Sequence, residues 1–168
     1  MELIEQIQSS AFATFVRESP SLFGYTLMLS LHAIGLSIVV GLNIVVAIRL
    51  LGISPGIPLR PLIKLFPVMY IGFWINALSG IALFAANASG MLGNVLFFVK
   101  LGLIACAVIV LRLIRNRVFG DASLEANHNV VPRIGRRLAV LSLIFWCSAI
   151  IVGRMTAYPY FIEAWFGI

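Results

Sequence analysis

Four stretches of this chain are long and apolar enough to cross a bilayer. They are about residues 22–48, 62–86, 92–114 and 138–160. A membrane-spanning helix needs about 20 such residues, because only a helix satisfies its own backbone hydrogen bonds in hydrocarbon. A chain of 168 residues cannot hide four helices of that kind inside a soluble core. Composition agrees: 61% of residues are hydrophobic and 11% charged, where soluble domains hold roughly half and a quarter. The expected fold class is all-α, an integral membrane antiparallel four-helix bundle.

The leading segment differs. Leu3, Ile4, Ile7, Ala11 and Phe15 recur at helical spacing while Glu2, Glu5 and Gln6 face elsewhere. Residues 1–20 therefore read as an amphipathic interfacial helix ended by Pro20, and 21–168 as one four-span transmembrane domain. The segment carries acids and lacks a basic start, so it does not read as a cleavable signal peptide.

Twelve Lys and Arg against six Asp and Glu give a net charge of +6. In a soluble protein that would suggest nucleic acid, but no groove-reading motif is present. The cations concentrate between spans instead. Arg49, Arg60 and Lys64 lie in one loop, and Arg115, Arg117, Arg133, Arg136 and Arg137 in another, while the 87–91 turn has none. Positive-inside bias then places both basic loops in the cytoplasm and both termini outside, with Tyr158, Tyr160 and Trp165 as an outer aromatic belt. Cys106 and Cys147 lie inside apolar runs without zinc-ligand spacing and read as packing residues.

Every span carries a costly polar residue: His32 and Asn43, then Asn76, then Lys100, then Arg154. A cation at mid-helix costs about 2.5–3.5 kcal/mol on insertion scales, so such residues usually face the interior or mark function. At 1.5 Å per residue, His32 and Asn76 lie roughly 15 Å from the outer helix ends, Lys100 roughly 12 Å and Arg154 about 6–9 Å. Four helices thus bring polar side chains to the outer half of one bundle. Plainer roles stand beside this: Arg154 snorkelling to the interface, Asn76 bonding between helices, and His32 as a buried hydrogen bonder. A neutral imidazole at that depth is equally a natural axial ligand. Ala33, Ser37 and Gly41 form a small-residue ridge suited to close helix approach, repeated by Gly153 and Ala157.

At these residues a resemblance enters. LHAIGLSIVVGLNIVVAIRLLG in the first span, NVLFFVKLGLIACAVIVLR in the third and GRMTAY in the fourth resemble a bacterial family of uncharacterised four-span membrane proteins. That family is similar to the membrane domain of copper-resistance protein D and, distantly, to the J-type protoporphyrinogen oxidase. The resemblance covers about residues 20–158. It implies a four-helix bundle in the bacterial inner membrane, haem b bound through the first-span His, and a role for the third-span Lys. Those positions are His32 and Lys100. The copper relatives imply metal handling by His and Met. Where many relatives carry an acid before that His, this chain has Leu29. No second His lies in a span, which leaves Met28, Met69, Met91 and Met155 as further ligands.

Three functions follow as expectations. In the first, a haem-b redox or electron-transfer protein, His32 ligates the iron, Lys100 and Arg154 pair with the propionates, Asn43 or Asn76 adds hydrogen bonds, and electrons pass to a quinone or a redox partner subunit. The second is copper or small-solute transport, with His32, Met28, Met69 and Cys147 along a path and His32 and Met69 as metal ligands. The third is an accessory subunit of a homo-oligomer or larger membrane complex. Hydrolase, transferase and carboxylate-coupled carriage are not expected, since no span contains an Asp or Glu and no nucleophile triad appears.

Overall fold

The computed structural model of the chain describes residues 2–19, 21–120 and 131–156. His128, Ala157 and the aromatic residues of the tail lie outside the described residues. Among the described residues there is no strand. The helices are α1 Glu2–Gln8, α2 Ala11–Glu18, α3 Tyr25–Leu51, α4 Leu59–Leu62, α5 Leu65–Ala86, α6 Ala88–Leu92, α7 Val95–Val118 and α8 Arg133–Met155. Four stretches are long and apolar enough to cross a membrane: Tyr25–Leu51, Leu59–Ala86, Val95–Val118 and Arg133–Met155.

Local chemistry explains the boundaries. The expected single leading helix is two, broken at Ser9 and Ser10. Ser10 caps α2, its hydroxyl accepting from the Ala13 amide at 3.3 Å, and serine favours that position over a helix interior. The face that α2 buries holds Ala13 and Val16, whereas Phe12 and Phe15 are exposed. Leu59–Ala86 is interrupted after α4 because Pro67 cannot donate to the Ile63 carbonyl and its ring crowds that oxygen. The Phe66 amide bonds to Ile63 instead, at 3.3 Å. The expected turn at 87–91 holds the short helix α6.

α3 runs past its expected end to Leu51. Gly52 then adopts φ 84°, with its amide on Arg49 O at 3.1 Å and the Ile53 amide on Ile48 O at 3.2 Å, the paired bonds of a Schellman stop. Arg49 is therefore helical. It is only 2% exposed, and its Nε donates to the Ile57 carbonyl. The sequence expectation of a loop cation gives way to a buried side chain tying the following loop to the helix.

The chain divides into two compact units, residues 1–39 with 68–95, and residues 40–67 with 96–168. In the first, α1 packs on α6, and α3 meets α5 at backbone distance. A Cβ on Gly35 would sit 2.5 Å from the Asn76 nitrogen and 2.7 Å from the Gly72 carbonyl oxygen, and one on Gly72 would meet Ile38 at 2.7 Å. Contacts descend along α5 as they ascend along α3, so this pair runs antiparallel. In the second unit α7 and α8 also run antiparallel. Gly153 faces Lys100 and Gly135 faces Val118, while Phe66 packs edge-on against Phe119 at 5.3 Å.

The small-residue ridge expected at Ala33, Ser37 and Gly41 is not the surface that makes the close approach. All three are exposed, and nothing lies within 4 Å of a Cβ on Gly41. The approach is made by Gly35 and Gly72. Gly35→Ala should therefore destabilise the detergent-solubilised protein by about 1–3 kcal/mol, the cost of forcing packed backbones apart. Gly41→Ala should leave it unchanged or slightly more stable. Denaturant unfolding followed by helical circular dichroism checks both.

Candidate functional site

The close approach of α3 and α5 leaves room for two side chains to reach across, and both do. The half-buried His32 ring places Nδ1 2.9 Å from the Asn76 carbonyl oxygen. In return the Asn76 side-chain Nδ2 donates to the His32 carbonyl at 2.7 Å. Each residue thus bonds to the other's backbone. Ser79 Oγ lies 3.4 Å from Nδ1 while its hydroxyl reaches the Ile75 carbonyl at 2.6 Å. A Cβ on Gly80 would stand 3.1 Å from His32 Cε1 and 3.3 Å from Nδ1. Gly80 is therefore the floor on which the imidazole rests.

This geometry has one chemical consequence. A carbonyl oxygen only accepts, so Nδ1 carries a proton, and in the neutral ring the lone pair then falls on Nε2. Metal-ligating histidines are oriented in this way, with the far ring nitrogen donating to a carbonyl or carboxylate. The α5 residues that do it, Gly72, Asn76, Ser79 and Gly80, follow i, i+4, i+7, i+8 spacing and so share one helix face. Sequence reasoning singled out Asn76 but not the other three. The signal was present in that spacing.

Met69 belongs to the same unit and is completely buried. The α3–α5 register sets it about two helical turns, or roughly 11 Å, beyond the His32 level, so the structure does not bring these two together. Among the described residues no three His, Cys, Asp or Glu side chains gather as a metal-binding group.

The remaining expected residues lie in the second unit. Asn43 is fully buried, and its Oδ1 accepts from Ser142 Oγ at 2.6 Å. Its Nδ2 and the indole Nε1 of Trp146 are buried donors without an acceptor among the described residues. Ser142 and Trp146 are one turn apart on α8, and a helical Trp leans back over the preceding turn. Lys100 is half-buried, its Cε, Cδ and Nζ lying 3.2, 3.4 and 3.5 Å from where a Cβ on Gly153 would stand. Gly153 thus lets the lysine stem lie flat on α8. Arg154 and Cys147 are exposed, seven residues apart on one face of α8. Cys106 is exposed on α7.

Comparison of the chain with protein-family models, with curated proteins and with solved structures gives no significant match.

Asn43 and Ser142 form a pair whose energetics can be separated. Ser142→Ala leaves a buried amide oxygen unsatisfied and should cost about 1–2 kcal/mol. Adding Asn43→Leu removes both partners and should restore most of that loss. A double-mutant cycle from denaturant unfolding should give a coupling of matching size.

Proposed function

We propose that the chain is a haem-b-binding membrane protein of redox or electron-transfer type. In this reading its four apolar helices form an antiparallel bundle in the bacterial inner membrane, with both termini on the periplasmic side. The four long apolar helices support the membrane reading, as do large exposed side chains such as Ile71, Trp74, Ile81 and Ile109 along them, which lipid would cover. The exposed arginines at the adjoining ends of α7 and α8 support the orientation. This is also the arrangement of the families the sequence resembles.

The observation that carries the haem reading is the fixed His32 tautomer. Nδ1–H is held by the Asn76 carbonyl, the ring lies on Gly80, and Nε2 of the neutral ring is the atom that would serve as axial ligand. The residues fit a haem better than a free copper ion. A porphyrin brings four nitrogens of its own and asks the protein for one or two ligands. A bare metal ion asks the protein for the whole set, and the α3–α5 register holds Met69, the other expected ligand, roughly 11 Å from the His32 level. A bound haem would supply one-electron exchange, passed to a quinone or a partner subunit. The protein's own contribution is to hold the imidazole neutral and oriented in a setting of low polarity.

The test is the absorption spectrum of the detergent-purified protein, oxidised and then reduced with dithionite, with metal analysis on the same sample. A Soret band with split visible bands on reduction is expected, lost in His32→Ala. It should be weakened in Gly80→Val, which displaces the ring without removing the ligand. An unchanged haem spectrum in His32→Ala contradicts the reading, and stoichiometric copper without a Soret band would replace it with metal handling.

A further inference from the structure

In the first unit, α1 and α2 precede the long helix α3, and contacts hold both at one level. α1 packs on α6, and Gln8 Oε1 accepts from the Ser89 amide at 3.4 Å. The end of α2 rests on Gly24, where a Cβ would stand 3.0 Å from Ser19 Cβ and 3.3 Å from the Val16 carbonyl oxygen. Gly24 directly precedes α3, and α6 follows α5 after a single residue. Because α3 and α5 run antiparallel, these two points lie at the same end of the pair. Gln8 comes three residues before α2 begins, so both ends of α2 are held at that level.

Around α2 the side chains divide three ways. Ala13 and Val16, three residues apart, are completely buried. Phe12 and Phe15, also three apart, form the adjoining edge and are 55% and 52% exposed. Arg17 and Glu18 lie on the remaining arc, exposed and paired at 2.9 Å. A polar depression lined by Glu5, Gln8, Ser9 and Arg17 extends that arc onto α1. The apolar stripe expected from spacing does not contain Phe12. It presupposes one unbroken helix, and the break at Ser9 and Ser10 makes Phe12 with Phe15 the outward apolar edge of α2.

Two observations say what covers this edge. The first is continuity. Exposed Leu22, Phe23 and Tyr25 follow it in the chain and lead into the exposed apolar side chains of α3, the surface that lipid covers in the four-span reading. The second is area. Half-exposed, the two rings offer roughly 200 Å², where a stable protein interface buries about 800 Å² on each partner. A short helix held at the ends of membrane-length helices, apolar along one edge and charged on the opposite arc, has the form of an interfacial helix.

We propose that the Phe12–Phe15 edge of α2 inserts into the acyl layer of the leaflet at this end of the α3–α5 pair, with Arg17 and Glu18 turned to water. The proposal rests on the four-span reading.

The test uses the full chain carrying Cys106→Ser and Cys147→Ser, reconstituted in vesicles of phosphatidylethanolamine and phosphatidylglycerol. Phe12→Cys, Phe15→Cys, Glu18→Cys and, on α5, Ile71→Cys are made singly and labelled with a nitroxide. All four positions are exposed, so no label replaces a packed side chain. Collision with oxygen reports lipid, and collision with a water-soluble nickel chelate reports water. The labels at positions 12 and 15 should favour oxygen, as the label at 71 does, and the label at 18 should favour nickel. Nickel reaching positions 12 and 15 as freely as position 18 overturns the proposal, since the edge would lie in water. Exclusion of both reagents from positions 12 and 15 also overturns it, since another protein surface would then cover the edge. Free nickel access at position 71 would overturn the four-span reading itself, a result separate from the other two.

Discussion

Gly35 and Gly72 let α3 and α5 touch backbone to backbone, and the chemistry of the first unit depends on that contact. In the proposed membrane setting two apolar helices would gain little from hydrophobic burial, since acyl chains are as apolar as leucine. What holds them is shape and the few polar bonds that shape permits. With a Cβ at Gly35 the helices would have to separate, because the obstructing atoms are the Asn76 backbone and the Gly72 carbonyl. With the helices in contact, His32 and Asn76 each reach the other's backbone, at 2.9 and 2.7 Å. Each such bond is worth about 0.6 kcal/mol on average in a membrane bundle. Its larger effect is on geometry, since it fixes which imidazole nitrogen carries the proton.

The two units treat buried polarity differently. Around His32 and Asn76 the partners are backbone carbonyls and a serine that bonds to its own helix. Around Asn43 and Ser142 one strong bond leaves two buried donors, Asn43 Nδ2 and Trp146 Nε1, without acceptors among the described residues. Unmet donors in a region of low polarity cost more than a bond returns. Lys100, laid along Gly153, adds a half-buried charge to that unit. Among the described residues, then, the His32–Asn76 pair is matched, while the Asn43–Ser142 pair leaves two donors unmet beside it.

The long helices were legible in the sequence because a run of about 20 apolar residues admits few alternatives. The expected spans each fall within a few residues of an observed helix. Their ends were missed where charge extends a helix, as at Arg49, Arg115 and Arg117, since apolarity ends before the hydrogen bonding does. Pro67 and the Ser9–Ser10 pair break helices through backbone chemistry that a hydropathy reading does not weigh. In the site, His32 and Asn76 were singled out because polar residues in apolar runs stand out. Gly35, Gly72 and Gly80 were passed over because glycine is common in such helices, and Ala33, Ser37 and Gly41 offered a competing ridge. Which ridge is used depends on the partner helix, and α3 alone does not contain that information.

Nitrogen-15 spectra of protein labelled at histidine read the His32 tautomer directly, since the chain has only two histidines and His32→Ala assigns the signals. The account predicts a proton on Nδ1, a lone pair on Nε2, and the same tautomer in Asn76→Ala, because the acceptor is the residue's backbone carbonyl. A proton on Nε2, or a mixture of tautomers, would contradict it and would leave His32 without the orientation that ligand binding requires.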